Sequence, residues 1–387
     1  MADRWPRFSL AVHFRLKQVN QRANAILIYL LSRIMPAGVA HERPDWGARP
    51  HRILYLRYDR IGDMIVSTSL IEAIATSHPS ITLDVLASPL NALVLAENPH
   101  VGSVIVFDRK RPLDFMRVRR ELRRRRYDAV VDCMILSPST TSLFLMLASG
   151  ARWRIGVGGR RDAFAFTHPV AAATSAVHHI DHSSVLASAF GVETSGRDWR
   201  SKIYLSPAER LTARRRWAQG WASEHGGRPP RVLVNISAGH PRRRWPDERF
   251  AAVADHIRQR EPDASVMVIA APAETDRGQR VAAAGGALFV NTPTLREAFG
   301  LISEADLVVT PDTGLSHAAS ALGIPAVVLI PLHIVGLWGL YGTPGRCVPS
   351  ADGNLLSLAV APVLAAIDAL LEEIGASQTQ PVTSDSR

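Results

Sequence analysis

The sequence predicts an α/β protein made of two parallel-sheet halves preceded by a helical extension, on three observations. Short apolar runs alternate with amphipathic stretches from Ile53 onward, the pattern of strand–helix–strand units. The alternation stops near residues 210–230, a segment rich in Arg and Trp that closes on Gly226, Gly227, Pro229 and Pro230, and then resumes. The first fifty residues follow neither series.

In order along the chain, residues 1–50 are a basic extension and linker. The apolar residues from Phe8 to Met35 mix with Arg and Lys in a way that suits either an interfacial helix or a helix packed on its own domain. Ala25–Leu31 is short for the core of a signal peptide, and no small-residue cleavage pattern follows it. Pro36 to Pro50 reads as a linker. Residues 51–209 form the first half, with strands expected at Ile53–Leu56, Ile81–Leu86, Val104–Phe107 and Ala129–Val131 and helices at Met64–Ser77, Leu113–Arg126 and Ser139–Ala148. Residues 210–230 link the halves. The second half, 231–350, offers strands at Val232–Ile236, Val266–Ala270, Leu288–Val290, Leu307–Thr310 and Ala326–Ile330. A closing helix over 351–375 and a polar, disordered tail over 376–387 complete the chain. Both halves are Rossmann-like.

Composition narrows the function. An apolar share of 47% and a charged share of 21% over 387 residues support packed cores and exclude collagen, wholesale disorder and a polytopic membrane protein. Two cysteines, Cys133 and Cys347, make neither a disulfide framework nor a zinc spacing and fit a reducing compartment. The net charge of +10 is concentrated, with residues 1–35 carrying +5 and residues 109–126 carrying +8. Two basic patches on an otherwise nearly neutral body point to an anionic partner such as lipid headgroups or a phosphorylated glycan. The scarcity of aromatics in 109–126 argues against single-stranded nucleic acid. Part of that helix must also be an ordinary solvated face, since one side of a helix cannot present ten cations.

Three turns at strand ends carry candidate chemistry, because open parallel sheets bind ligands there. In Arg57-Tyr-Asp59-Arg60-Ile-Gly62-Asp63, Gly62 permits a tight turn or a close substrate approach, and Asp63 opens a helix. Asp63 is either an N-cap or a general base, and Arg57 and Arg60 are candidate substrate contacts beside it. In Ser237-Ala-Gly239-His240-Pro-Arg242-Arg243-Arg244-Trp245-Pro246, small residues and guanidinium forks suit a diphosphate, and Trp245 either packs or walls the pocket. Thr310-Pro311-Asp312-Thr313-Gly314-Leu-Ser316-His317 aims several N–H groups at one spot. Asp312 and Thr313 either cap that helix or serve a pyrophosphate, with His317 a structural or supporting residue.

Other signals are weaker. Gly156-Val-Gly158-Gly159 lacks the spacing of a dinucleotide fingerprint, and His178, His179, Asp181 and His182 are too crowded for a metal set and read as polar surface with one substrate contact. No Asp-x-Asp pair is present, so no metal is expected on a diphosphate.

Together the segments resemble glycosyltransferase family 9, the ADP-heptose:lipopolysaccharide heptosyltransferases, over about residues 52–345. Arg57…Gly62-Asp63 with Ser67-Thr68 is similar to the family's first turn, and Glu97-Asn98-Pro99-His100-Val101 and Tyr127-Asp128-Ala129-Val130-Val131-Asp132 to its next stretches. Arg243-Arg244-Trp245-Pro246, Pro272-Ala273-Glu274 and Asp312-Thr313-Gly314-Leu315-Ser316-His317 are similar to its later motifs. Arginine stands at 243 where the family carries lysine, and Ile330-Pro-Leu-His333-Ile334 departs from its Gly-Pro-Thr-Asp/Asn-Pro.

The resemblance implies the GT-B arrangement of two facing Rossmann-like domains, acceptor in the first and ADP-sugar in the second, with inversion at the anomeric carbon. It implies Asp63 as base, Arg243 as diphosphate cation, Glu274 as ribose partner, and Asp312, Thr313, Gly314 and His317 as the diphosphate turn with its supports. Ser237 joins the nucleotide contacts. The function so implied is metal-independent, cofactor-free transfer of heptose or a related sugar to an anionic glycolipid, the lipopolysaccharide inner core. The enzyme would be cytoplasmic, with peripheral contact to the inner face of the membrane. Alternatives are a family member that uses a protein or capsular acceptor, and a catalytically silent nucleotide-sugar or polyanion binder.

Overall fold

The computed structural model describes residues 22–34, 42–136, 138–219 and 230–379. A helix over 22–34 (α1) comes first. The apolar runs then form β1 (His51–Arg57), β2 (Ile81–Ala87), β3 (Ser103–Val106) and β4 (Ala129–Asp132), followed by β5 (Trp153–Val157) and β6 (His168–Val170). These make one all-parallel sheet in the order β3-β2-β1-β4-β5-β6. Its helices are α2 (Ile61–Ser77), α3 (Asp114–Arg125), α4 (Thr140–Ser149) and α5 (His179–Ser184).

The second half repeats the plan. It comprises α6 (Pro207–Gln219), β7 (Arg231–Asn235), α7 (Asp247–Arg260), β8 (Ser265–Ile269), α8 (Thr275–Ala284), β9 (Leu288–Phe289) and α9 (Leu295–Ser303). After these come β10 (Leu307–Pro311), α10 (Gly314–Ala321), β11 (Ala326–Pro331), α11 (Val335–Trp338), β12 (Gly345–Ser350) and α12 (Ala361–Thr379). Its sheet order, β12-β11-β10-β7-β8-β9, is the doubly wound order of the first sheet counted from β7. The two sheets stand in the GT-B arrangement that the family resemblance implies.

Burial explains how the halves join. Nearly every residue of α2 from Gly62 to Ile74 is buried, which requires cover on all sides. One side of the cover is the first sheet and the other is α10, so a single apolar cluster runs from Ile53 and Tyr55 through Met64 and Leu70 to Phe299 and Ala318. Separate clusters fill the outer face of each sheet. Arg296 of α9 pins the same junction. Its guanidinium grips Glu209 at 2.7 and 2.5 Å and donates to the Tyr204 carbonyl at 2.8 Å.

Several elements differ from the sequence reading for identifiable reasons. β5, β6 and β12 are not anticipated there; β6 and β12 are edge strands whose interior prolines, Pro169 and Pro349, interrupt the strand pattern and are tolerated at an open edge. The segment expected to link the halves instead contains α6, whose Trp217 is buried and donates to the Leu301 carbonyl, so α6 packs with the second half. The described part of the expected Pro36–Pro50 linker is anchored by Trp46, 3% exposed, which stacks against Phe190 and donates to the Ala189 carbonyl. The closing helix begins at Ala361 and runs on to Thr379, into the stretch expected as a tail. Residues 1–21, the start of the expected interfacial helix, lie outside the described residues.

Candidate active site

β1 ends at Arg57, and that side chain organises the first wall of the site. It is 1% exposed and held on all sides: Nε donates to the Asp63 carbonyl at 3.0 Å, Nη1 donates to the Cys133 carbonyl, and Nη2 lies 3.3 Å from His179 Nε2. Two carboxylates share it, Asp59 at 3.4 Å and Asp63 at 3.7 Å. Arg57 is therefore no substrate contact as the sequence suggests; it is sealed beneath the surface, where it holds the two acids.

Asp63 is the third residue of α2, and the N-cap position belongs to Arg60, whose side chain makes no cap bond. Asp63 is thus spared the capping role, and 15% of its side chain remains open. Burial pushes Asp59 up to about 6, against the pull of Arg57 and with a further push from the Asp63 charge. Arg60 is exposed at the mouth, where its charge is felt by Asp312 across the cleft.

The second wall is the end of β10. Thr313 takes the cap of α10, its hydroxyl accepting from the Leu315 N–H at 3.2 Å. Asp312 does not cap. Its carboxyl is raised by burial, and the pull of Arg243 and then of Arg60 opposes that rise. Arg243, at the end of a single turn over Pro241–Arg243, donates to the Asp312 carbonyl at 3.2 Å and lies 3.0 Å from Asp312 Oδ2. The latter contact is an ion pair without hydrogen-bond alignment. Ser237 ties two turns together, its hydroxyl accepting from the Ala271 N–H at 2.7 Å. Glu274, at the N-cap of α8, is paired with Arg277 at 3.2 Å and with Arg244 at 3.7 Å. Trp245 packs rather than walls: it is 1% exposed, edge-on to Phe250.

The walls meet through glycines. A Cβ on Gly62 would lie 2.5 Å from His317 Cδ2, so Gly62 admits the His317 ring rather than a substrate. A Cβ on Gly314 would lie 2.8 Å from Ile61 Cγ2 and 3.6 Å from the Gly62 nitrogen. The first turns of α2 and α10 therefore abut, with Asp63 one residue from that contact and Asp312 to Gly314 on its other side. His317 is buried, and burial holds its pKa down at about 3, so the ring is neutral at ordinary pH.

The histidines expected on the surface lie at this seam instead. His178 caps α5 with Nδ1 and contacts the Gly339 carbonyl through Nε2 at 3.2 Å. His179 stacks on Trp338, centroids 4.5 Å apart, and its pKa is held at about 2 by burial, with the Arg57 charge adding to the effect. Among the described residues no group of three His, Cys, Asp or Glu is arranged to hold a metal.

The family model for glycosyltransferase family 9 (heptosyltransferase) matches residues 115–354, more than half of the chain. The chain belongs to glycosyltransferase family 9. It is a glycosyltransferase enzyme. The lipopolysaccharide core heptosyltransferase OpsX of Haemophilus influenzae is 21% identical over 305 residues, which cover 75% of this chain and 82% of that one. Lipopolysaccharide heptosyltransferase 3 of Escherichia coli is 24% identical over 345 residues, 80% and 96% of the two chains. Among solved structures, a family 9 glycosyltransferase of Veillonella parvula superposes with a TM-score of 0.74 at 19% identity, covering 86% of this chain and all of that one. The E. coli heptosyltransferase WaaC with ADP gives 0.66 at 18% identity, covering 82% and 99%.

Within this family 9 chain, the structure brings Arg60, Gly62, Asp63, Arg243, Asp312, Thr313, Gly314 and His317 to one seam, and places Ser237 and Glu274 along the same carboxyl edge of the second sheet. Asp63 lies before the stretch that the family model matches. Sequence reasoning missed Asp59 and Trp338 and took His179 for polar surface. Asp59 was visible four residues before Asp63 and on the same guanidinium, but nothing local signals that an arginine at a strand end is buried.

Proposed function

We propose that this family 9 protein is an inverting, metal-independent glycosyltransferase that moves heptose or a related sugar from an ADP-sugar to the inner core of a lipopolysaccharide precursor, working peripherally at the cytoplasmic membrane face. Asp63 accepts the proton of the acceptor hydroxyl as its oxygen forms the new bond to the anomeric carbon. The bond from that carbon to the diphosphate breaks on the opposite side, and ADP leaves with the electron pair. Arg243 and the N–H groups at the start of α10 take up the developing charge, which is the task a cation performs elsewhere.

The observation that supports this most is the contact of Gly314 with Ile61 and Gly62, which sets an uncapped carboxylate beside an anion-seeking turn. The ADP and ADP-heptose analogue named with E. coli WaaC support the nucleotide, and the two curated relatives support the acceptor class.

The test is nucleotide release by purified protein across ADP-, UDP- and GDP-sugars, with and without a chelator. Release is expected from ADP-heptose with the acceptor and to be unchanged by chelation. Asp63→Asn is expected to lower it by about 10²–10⁴-fold while donor binding persists. A rate equal to wild type in that variant would remove the mechanism.

A further inference from the structure

The helix α1 is apolar over most of its surface, with Arg22 near one end and Arg33 near the other, and among the described residues only one side of it is covered. Asn24, Ala25, Ile28 and Leu31 turn inward; Ile28 is 1% exposed, and Asn24 donates to the Pro138 carbonyl at 2.9 Å and accepts from the Thr140 N–H at 3.1 Å. On the other side Ile26, Leu30 and Ile34 recur every fourth residue and are 60%, 53% and 77% exposed, flanked by Leu27 and Tyr29. A helix with this composition is stable when something apolar lies on both faces.

Strand register locates that face. Arg57 is opposite Ala87, Ala87 is opposite Val106, and Leu56 is opposite Asp132. The loops that leave those strands therefore emerge at one edge of the sheet, the edge that carries Asp63. The loop after β4 holds α1 through Asn24, and contributes Leu136, 49% exposed. The loop after β3 contributes Arg109, Lys110 and Arg111, all exposed, and then Leu113, 81% exposed, with Met116 in the first turn of α3 at 52%. Arg109 lies over the ring of Tyr58, whose hydroxyl contacts Ser139 and Ser142 at the start of α4, so the cationic loop adjoins the one that holds α1. Asp108 pairs with Arg111 at 3.4 Å, so among the described residues Arg109 and Lys110 carry the net charge of this rim, while Asp114 and Glu121 are engaged by Arg117 and by Arg124 and Arg125. No helix among the described residues is long and apolar enough to cross a membrane.

An apolar helix face inside a rim of cations, beside the acceptor wall, matches the surface of a bilayer with anionic headgroups. We propose that α1 and the loop over Arg109–Leu113 form an interfacial dock that lays the first domain on an anionic bilayer, with the mouth at Asp63 turned toward the lipid. This rests on the reading of the acceptor as a glycolipid, but its test does not depend on catalysis.

Full-length protein is mixed with phosphatidylcholine vesicles with and without phosphatidylglycerol, and sedimented. Binding is expected on the phosphatidylglycerol vesicles. Ile26→Ser/Leu30→Ser/Ile34→Ser and, separately, Arg109→Ser/Lys110→Ser/Arg111→Ser are each expected to weaken it by more than about tenfold. Turnover of ADP-sugar with a soluble acceptor is expected to stay at wild-type level in both, which shows that the variants are folded. Equal binding by the apolar triple variant, or no binding by the intact chain, overturns the dock. A wild-type dimer that the apolar variant dissolves, without vesicle binding, overturns it in favour of a second copy of this chain. Loss of turnover in Asp63→Asn tests the catalytic reading alone and leaves vesicle binding unchanged.

Discussion

Replacing Gly62 with alanine tests whether the two domains are locked by the fit of glycines against neighbouring side chains. Alanine early in a helix normally stabilises by up to about 1 kcal/mol. Here the new methyl would lie 2.5 Å from His317 Cδ2 and 3.1 Å from its Nε2, against an optimal carbon separation of about 3.5–4.0 Å. The ring cannot swing away: it is 8% exposed and meets Trp338 edge-on at 5.7 Å between centroids. Overpacking costs about 1–3 kcal/mol, and a contact as short as this belongs at the upper end, about 2–3 kcal/mol, so after the helix gain the net loss is about 1–2 kcal/mol.

Because α2 and α10 must part by about 1 Å to relieve it, transfer is expected to fall by about a hundredfold. Urea denaturation of Gly62→Ala, His317→Ala and the double variant reads the contact directly. Removing the ring removes the clash, so the double variant is expected to be more stable than the sum of the singles by about 1 kcal/mol or more. Gly300→Ala in α9 is the control, since its methyl would meet Ala213 Cβ at an ordinary 3.4 Å and is expected to be neutral or mildly stabilising. Strict additivity, or a Gly62→Ala as stable as Gly300→Ala, refutes the reasoning.

The remaining expectations concern charges. Asp59 sits at about 6 in the fold, whereas an aspartate in an unfolded chain titrates near about 4, so between those values the folded protein holds a proton that the unfolded chain has lost. Its contribution to stability therefore falls as pH rises from about 4 to about 6; Asp59→Asn is expected to match wild type below that window and exceed it above, and parallel pH–stability curves would contradict this. Arg296→Met breaks the half-buried fork on Glu209 and the bond to Tyr204, with an expected loss of about 2–3 kcal/mol in urea denaturation that Arg296→Lys does not restore. Arg243→Ala removes the cation at Asp312 and is expected to raise the donor KM by more than about tenfold in initial-rate measurements, with a loss of about 1–3 kcal/mol in urea denaturation because buried Asp312 is left without its ion-pair partner.

Most of the strands and helices, though not β5, β6, β12 or α6, and the three turns at strand ends were legible in the sequence, because periodicity and turn chemistry are local and the carboxyl edge of a parallel sheet is where such turns must collect. Asp63 and Asp312 to Gly314 stand out as candidates on that ground, while Arg243 is distinguished from Arg242 and Arg244 only by the family resemblance. Whether a given polar group is buried, and against what, depends on segments far apart in the chain. Arg57 is sealed by the Cys133 carbonyl and by His179, 122 positions away, and only that packing turns an apparent substrate contact into the clasp of two carboxylates. His178 and His179 read as surface until Gly339 and Trp338 of the other domain close over them. Trp46 likewise turns an apparent linker into part of the core. The sequence by itself determined the central strands of both sheets, the helices beside them and the turns that face the cleft, since those follow from each residue's near neighbours. Tertiary structure alone decided which side chains meet across the cleft, since burial and pairing are properties of two surfaces brought together.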